Sequence, residues 1–446
     1  SPRGGFAADR LMPIATTRDA PAISHRFHSA AGEHLLVVPF SRIFDIPGHD
    51  AVALDADPDA LRALATSLGQ IAPGEAALDQ IVEPEPQSIS LNISSSCNLG
   101  CTYCYADKGS FGGVQSAPMT WPIAQAATDR LLAVAQRDRP ITIGFLGGEP
   151  FANRALIHQT VNYASAEGHR RGLDVRFSVT TNGTLLRPAD LDLMRGHPFA
   201  VTVSLDGAAD VNDTQRPMRN GRPGGWALAT ARVSGLLVDP GQAKLAARAT
   251  VTRHDMDVSA RLRALVDLGF PEAGVAPLRG APDEAGALRE ADWTVYLHEL
   301  IRASRAELAR LRRGLPVRLT NFAVALKQIH RGACSPYPCG AGGGYFSVSA
   351  GGRWYACHRA IGDPAFEMGS SDGLDTVRRR RFLEDRHVHA QTDCRTCWAR
   401  YLCSGGCHQE AASRTAESCD FVRGWLEFCL AAYCELGGGQ SGGDKR

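Results

Sequence analysis

Between residues 86 and 310, short apolar runs alternate with longer segments of helical period. The runs are SISLNIS, ITIGFLGG, DVRFSVTTNG, FAVTVSLDG, KLAARATVT and GVAPLR. Between them, WPIAQAATDRLLAVAQ and ALIHQTVNYASAEG place apolar residues every three or four positions, the mark of an amphipathic helix. Strands separated by helices pair in parallel through right-handed crossovers, so this stretch predicts an α/β fold. Six repeats predict an open, partial (βα)6 barrel rather than a complete eight-fold one.

The pattern changes on both sides of that stretch. Residues 1–25 carry no periodicity and read as a flexible arm. Residues 26–85 read as a small α+β domain. EHLLVVPFSRIFDI predicts two strands, and PDALRALATSL a helix with Leu61, Leu64 and Leu68 on one face. VEPEPQ then reads as a linker, because its prolines block regular structure. Residues 311–436 are rich in glycine and cysteine and short of long periodic segments, which predicts little apolar core and a need for bound metal. Residues 437–446 read as a disordered tail.

Composition narrows the function. The chain has 446 residues, 44% of them hydrophobic, and a net charge of +1. No overall field therefore favours nucleic acid or an anionic membrane. The run Arg378–Arg381 is a local exception. The acids Asp372, Asp375, Glu384 and Asp385 flank it, so it reads as a solvated helix face, with a dock for an acidic peptide as the alternative. No run approaches the ~18 apolar residues of a membrane span, and the N-terminal stretch has no apolar export core. A reducing, cytoplasmic setting is expected. There, 13 cysteines point to metal or catalysis rather than disulfides.

The chemical features follow the predicted strand ends. CNLGCTYCYA follows the first strand, GGEP closes the second, TNG the third and SLDG the fourth. Loops at the carboxyl ends of parallel strands converge on one face. The first loop supplies Cys97, Cys101 and Cys104 but no fourth ligand. A structural zinc site needs four ligands. Three thiolates can instead hold three irons of a cubane and leave the fourth open.

This C-x3-C-x-aromatic-C spacing, with Tyr103 before the last cysteine, resembles the signature of the radical SAM superfamily. The resemblance implies that Cys97, Cys101 and Cys104 hold a [4Fe–4S] cluster whose open iron is chelated by S-adenosylmethionine. One electron then cleaves that cofactor to a 5′-deoxyadenosyl radical, which abstracts a hydrogen atom from substrate. Gly147, Gly148, Glu149 and Pro150 are similar to the family's motif at the methionine amino group. Ser204 and Arg216 resemble positions near the cofactor's carboxylate and ribose, and Asn182 resembles a further polar contact. The plain alternative for these three is strand-end hydrogen bonding without a ligand.

Ten cysteines remain. CGAGGGYFSVSAGGRWYAC and CRTCWARYLCSGGC, followed by Cys419, resemble the SPASM extension of peptide-modifying radical SAM enzymes. The resemblance implies two auxiliary [4Fe–4S] clusters, making three in all. The first would use Cys334, Cys339, Cys357 and Cys407, and the second Cys394, Cys397, Cys403 and Cys419. Zinc is the alternative, since C-x2-C pairs also space zinc ligands. Cys429 and Cys434 fall in the apolar stretch WLEFCLAAYC and read as packing residues. Some sulfatase-maturing relatives carry an aspartate base directly after the cysteine that matches Cys357. Here that residue is His358, either a catalytic base or a satisfied neighbour of a cluster.

The resemblance implies a maturase of ribosomally made peptides that closes a side-chain crosslink, a carbon–carbon cyclophane or a thioether. Its expected partners are a precursor peptide with a leader segment and an electron donor such as flavodoxin or ferredoxin. Many such maturases carry an N-terminal winged-helix domain that adds the leader as an extra strand, and residues 26–85 have about that size. The alternatives are formylglycine formation, peptide epimerisation and, in a different class, a multi-cluster electron carrier.

Overall fold

The computed structural model describes residues 21–47, 58–69, 80–279 and 285–437. The expected arm up to residue 20, the tail from 438 and the side chains of Leu61 and Leu68 lie outside the described residues.

Three antiparallel strands open the chain: β1 (Ser24–Ser29), β2 (Gly32–Val37) and β3 (Arg42–Ile46). Alternation gives this sheet two apolar faces. Leu35, Val37 and Ile46 pack with Leu64 of helix Pro58–Gly69. Phe27, Leu36 and Ile43 face the main body and join its core. The sequence predicted two strands here, and β1 is the addition. It begins inside the stretch read as a flexible arm, because His25 stacks on Trp398 with ring centroids 3.8 Å apart.

His25 is 9% exposed, and burial pulls its imidazole down from 6.5 to about 4. Glu427 Oε2, 3.9 Å from Nε2, lies on a half-exposed side chain and does not offset this. Folding therefore favours the neutral ring. The unfolded chain takes up the proton first as pH falls, so stability is lost from about 6.5 down to about 4. The loss is about 3 kcal/mol at most. His25→Phe keeps a ring against Trp398 and removes the titration. Urea midpoints at pH 7 and pH 5 are expected to differ less in this variant than in the parent chain.

The main sheet has ten strands in the order β13-β12-β11-β10-β4-β5-β6-β7-β8-β9. Six form the expected parallel array: β4 (Ser88–Ser94), β5 (Ile141–Gly147), β6 (Val175–Thr181), β7 (Phe199–Ser204), β8 (Lys244–Val251) and β9 (Ala273–Pro277). Helices Trp121–Val134, Arg154–Arg171, Gly225–Val238 and Val258–Asp267 lie among the crossovers. One face of each strand is buried under this layer, as with Ile143 and Phe145, Phe177 and Val179, or Val201 and Val203. The opposite face lines the lumen with small polar side chains, including Ser90, Ser178, Thr202 and Thr250. At the far edge, Asn321 pairs with Val275 like a piece of strand. Its Oδ1 accepts from the backbone N–H and its Nδ2 donates to the carbonyl, each at 2.9 Å. That satisfies edge groups which would otherwise stand unpaired.

The cysteine-rich region adds β10 (Tyr345–Val348), β11 (Arg353–Tyr355), β12 (Glu367–Ser370) and β13 (Gly373–Leu374). β10 pairs in parallel with β4, so these strands extend the barrel's own sheet. This region also corrects the expectation of few periodic segments and little core. Helix Ala416–Glu435 sets Phe421 against Trp293 and Tyr296, with centroids 5.4 and 5.1 Å apart, and buries Cys429 and Cys434. Trp425 and Phe428 meet Phe322 of helix Thr320–His330. The arginine run lies on helix Thr376–Arg386. Arg378, Arg380 and Arg381 pair with the flanking acids, while Arg379 turns inward to the carbonyls of Pro84, Gly342 and Gly343. No helix among the described residues is long and apolar enough to cross a membrane.

Candidate active site

β4 ends at Ser94 and runs into the three-cysteine loop. Donors surround its thiols. Leu99 N–H donates to Cys97 Sγ at 3.4 Å, Lys108 N–H to Cys104 Sγ at 3.2 Å, and Asn182 Nδ2 to Cys97 Sγ at 3.7 Å. Burial is the largest influence on Cys97 and pushes its thiol up to about 12, with Cys101 and Cys104 near enough to add to the rise. Cys101 is raised for the same reason, against the pull of Arg216. Buried thiols ringed by donors suit a group that brings positive charge of its own. Among the described residues, no three Cys, His, Asp or Glu side chains converge on a single-ion position. Cys97, Cys101 and Cys104 lie close enough to influence one another, and three thiols on one loop fit an iron–sulfur cubane.

The GGEP loop at the end of β5 docks on this loop through its backbone. Gly148 N–H donates to Ser94 O and Glu149 N–H to Ser96 O, both at 2.9 Å. A Cβ on Gly148 would stand 2.3 Å from Ser96 O, and one on Gly147, whose φ is +135°, 2.5 Å from Ser94 O. Both positions therefore require glycine, and the close approach that requires it is to the cysteine loop itself. Pro150 opens the short helical turn that follows.

Glu149 is 1% exposed. Its carboxylate accepts from Thr181 Oγ1 at 2.7 Å, Asn182 N–H at 2.8 Å and Phe151 N–H at 3.2 Å. Burial raises its pKa, and these hydrogen bonds and Arg216 oppose the rise. Asn182 bonds onward to Asn98 Oδ1 at 3.0 Å and accepts from Thr184 N–H at 2.9 Å. Glu149 and Asn182 thus fasten the ends of β5 and β6 to the cysteine loop. Ser204 ends β7 on the lumen side.

Arg216 is 9% exposed and donates to Tyr103 OH at 2.6 Å; Tyr103 donates to Asp206 Oδ2 at 2.5 Å. Burial lowers the guanidinium's pKa, but Tyr103, Cys101 and Asp206 outweigh it and leave the group firmly cationic. Tyr103 was visible in the sequence only as the aromatic spacer, and Asp206 only as part of SLDG. Nothing local signals that the two meet.

The later cysteines fall into two groups. Cys339, Cys357 and Cys407 lie close enough to influence one another, and Arg359 Nη1 is 4.0 Å from Cys407 Sγ. Cys334, expected with them, donates its thiol to Pro39 O at 3.0 Å. Cys394, Cys397, Cys403 and Cys419 form the other group, and burial pushes Cys403 up to about 11. Arg414 Nη1 donates to Cys394 Sγ at 3.2 Å, and Arg423 bonds Cys397. A cavity of about 960 Å³ opens beside this group, between it and Arg279, Leu288 and Trp293.

The arginines have a measurable consequence for a cluster held there. Positive charge at ligand sulfur stabilises the reduced, more negative state. If the Cys394 group holds an iron–sulfur cluster, Arg414→Gln is expected to move its midpoint potential downward in an EPR-monitored redox titration.

His358 follows Cys357. Its Nδ1 lies 3.0 Å from Tyr345 OH, which lies 2.7 Å from Ser90 Oγ. This chain runs from the lumen face of β4 to the imidazole. Burial, then Arg359, pull His358 down to about 4, so the ring is neutral near pH 7 and a weak proton acceptor as it stands.

Comparison with known proteins places these features. Residues 91–236 match the model of the Radical SAM superfamily. The serine-type anaerobic sulfatase-maturating enzyme of Klebsiella aerogenes is 26% identical over 344 residues, 72% of this chain and 79% of that protein. A match of 133 residues at 32% identity to a Methanocaldococcus jannaschii protein, MJ0907, covers 30% of this chain and 43% of that one. Among solved structures, anSMEcpe with bound AdoMet and Kp18Cys peptide superimposes with a TM-score of 0.67 at 18% identity, covering 79% of this chain and 99% of that one. SuiB of Streptococcus suis bound to its precursor peptide SuiA gives 0.53 at 12% identity, covering 88% and 98%.

Proposed function

Because residues 91–236 make this chain a radical SAM enzyme, we propose that it modifies a ribosomally made precursor peptide by closing a side-chain crosslink. The observation that carries this reading is the pairing of β10 with β4. β10 also pairs with β11, the strand leading to Cys357, so both thiol groups stand on one sheet, and Tyr105 lies within reach of both Cys104 and Cys357. The two structural relatives include complexes with peptides, which supports a substrate of that class.

Cys97, Cys101 and Cys104 would hold the cluster that binds S-adenosylmethionine, and the two later groups would hold auxiliary clusters. When bound, these supply a hydrogen-abstracting radical and a sink for one electron. The chain's own residues do the rest. Glu149 and Asn182 hold the three-thiol loop in place, and the small lumen side chains leave room for peptide. His358, hydrogen-bonded to Tyr345 beside Cys357, would take the proton released as the bond closes, a role that requires bound substrate to raise its basicity from the value set by burial. The balance is the loss of two hydrogens from the peptide: one as an atom, the other as a proton and an electron.

The match to the Klebsiella enzyme favours a second reading, oxidation of a serine or cysteine to an aldehyde. His358 in place of the aspartate weighs against it. Mass spectrometry of a co-expressed precursor from the neighbouring reading frames separates the two. A product lighter by two hydrogens and inert to hydrazide supports the crosslink. A hydrazide-reactive product supports aldehyde formation, and unchanged mass with altered stereochemistry supports epimerisation.

A further inference from the structure

The inner face of β8 carries a long cation, Arg248, between small side chains, with Lys244 on the same face at the start of the strand. On β8, Leu245, Ala247, Ala249 and Val251 are buried outward, so Ala246, Arg248 and Thr250 face the lumen. Arg248 sits in register with Ser204 on β7 and Gly274 on β9. Its side chain is exposed, and surrounding protein, then the Arg359 guanidinium, lower its pKa.

The Arg248 guanidinium makes no hydrogen bond or ion pair to any described residue. Its neighbours do not neutralise it. Burial raises the pKa of Tyr296 and keeps that phenol uncharged. Glu410 is already shared, accepting from Arg359 through Oε1 and from Arg279 through Oε2 at 3.2 Å. Four guanidiniums therefore stand around Tyr296 and Glu410: Asp255 pairs with that of Arg261, Glu410 with those of Arg279 and Arg359, and that of Arg248 has no carboxylate among the described residues. A ligand carboxylate is the natural complement of such a guanidinium.

The cofactor also carries a carboxylate, but another arginine stands beside the three-thiol loop. Arg216 bonds Tyr103 within reach of Cys101, whereas Arg248 lies near Arg359, whose Nη1 is 4.0 Å from Cys407 Sγ. Arg248 thus belongs to the side facing the auxiliary thiols. We propose that Arg248 receives the carboxylate of an acidic residue in the peptide substrate, anchoring it in the lumen beside the residue to be modified. This rests on the peptide-modifying reading above.

The test uses the reconstituted full chain with S-adenosylmethionine and three acetylated, amidated heptapeptides that differ only in a central glutamate, glutamine or lysine. Equilibrium dialysis with mass-spectrometric counting measures their binding. The glutamate peptide is expected to bind about ten-fold tighter than the glutamine peptide. Arg248→Lys is expected to retain that preference, Arg248→Gln to abolish it, and Arg248→Glu to transfer it to the lysine peptide. Folding of each variant is checked by iron content and visible absorbance, and the lysine and glutamine variants decide the matter if the reversal does not fold. Equal binding of glutamate and glutamine peptides by the parent chain overturns the inference. So does a preference that survives Arg248→Gln, or a variant that loses S-adenosylmethionine affinity instead, which would assign the guanidinium to the cofactor. Parent chain that forms 5′-deoxyadenosine but shows no glutamate preference sinks this inference alone. Parent chain that forms none sinks the radical reading instead.

Discussion

Replacing Cys97, Cys101 and Cys104 together with alanine is expected to abolish cleavage of S-adenosylmethionine and, with each later group holding a cluster as proposed, to lower bound iron by about a third, from about twelve to about eight per chain. The three thiols stand on one loop, apart from the groups formed by Cys339, Cys357 and Cys407 and by Cys394, Cys397, Cys403 and Cys419. Their removal therefore leaves the other sets whole. The barrel should persist as well, because the loop is fixed by backbone bonds such as Gly148 N–H to Ser94 O rather than by its sulfurs. Iron and sulfide counts with chromatography of 5′-deoxyadenosine check the outcome. Residual cleavage, or a loss of all iron, would reassign the thiols.

Glu149→Ala is expected to lower stability by roughly 3–5 kcal/mol and to weaken cofactor binding in parallel. The variant strands three donors that have no other acceptor: Thr181 Oγ1–H and the N–H groups of Asn182 and Phe151. It also frees Asn182, which holds Cys97 and Asn98. Glu149→Gln should fall between, since an amide nitrogen must face at least one of those donors. Unfolding midpoints and equilibrium binding of S-adenosylmethionine check both variants. A Glu149→Ala protein that unfolds like the parent but no longer binds the cofactor would make the carboxylate a ligand rather than a brace.

These two sites show what a sequence discloses. The six barrel strands were legible because each alternates strongly or runs apolar for five residues or more, and the motif loops followed their ends. β1 was not legible. Four of the six residues of SHRFHS are serine or histidine, and its burial depends on Trp398 stacking on His25 and on Ser29 Oγ bonding His34 Nε2 at 2.7 Å. β10–β13 are two to four residues long, below any periodic window, and are strands because β4 offers an edge. At the site, the cysteine spacing was legible as chemistry. The Tyr103–Asp206–Arg216 contact was not, because it joins residues about a hundred positions apart. Arg248 was visible as a letter in KLAARATVT, but its meaning needed the face of β8 that turns inward.

The pairing of β10 with β4 also governs how the chain reaches this shape. Ser90 and Ser347, whose hydroxyls meet at 2.9 Å, are 257 residues apart. A contact of that span forms late, after most of the loop-closure entropy has been spent, and parallel pairing of this kind is slow. Until residue 348 leaves the ribosome, the first barrel strand has an open edge with Leu91 and Ile93 beside it. An exposed strand edge of this kind recruits other chains. A chain cut before residue 345 should therefore behave as an aggregating fragment rather than as a smaller enzyme, and the barrel and its cysteine-rich extension should fold as one cooperative unit.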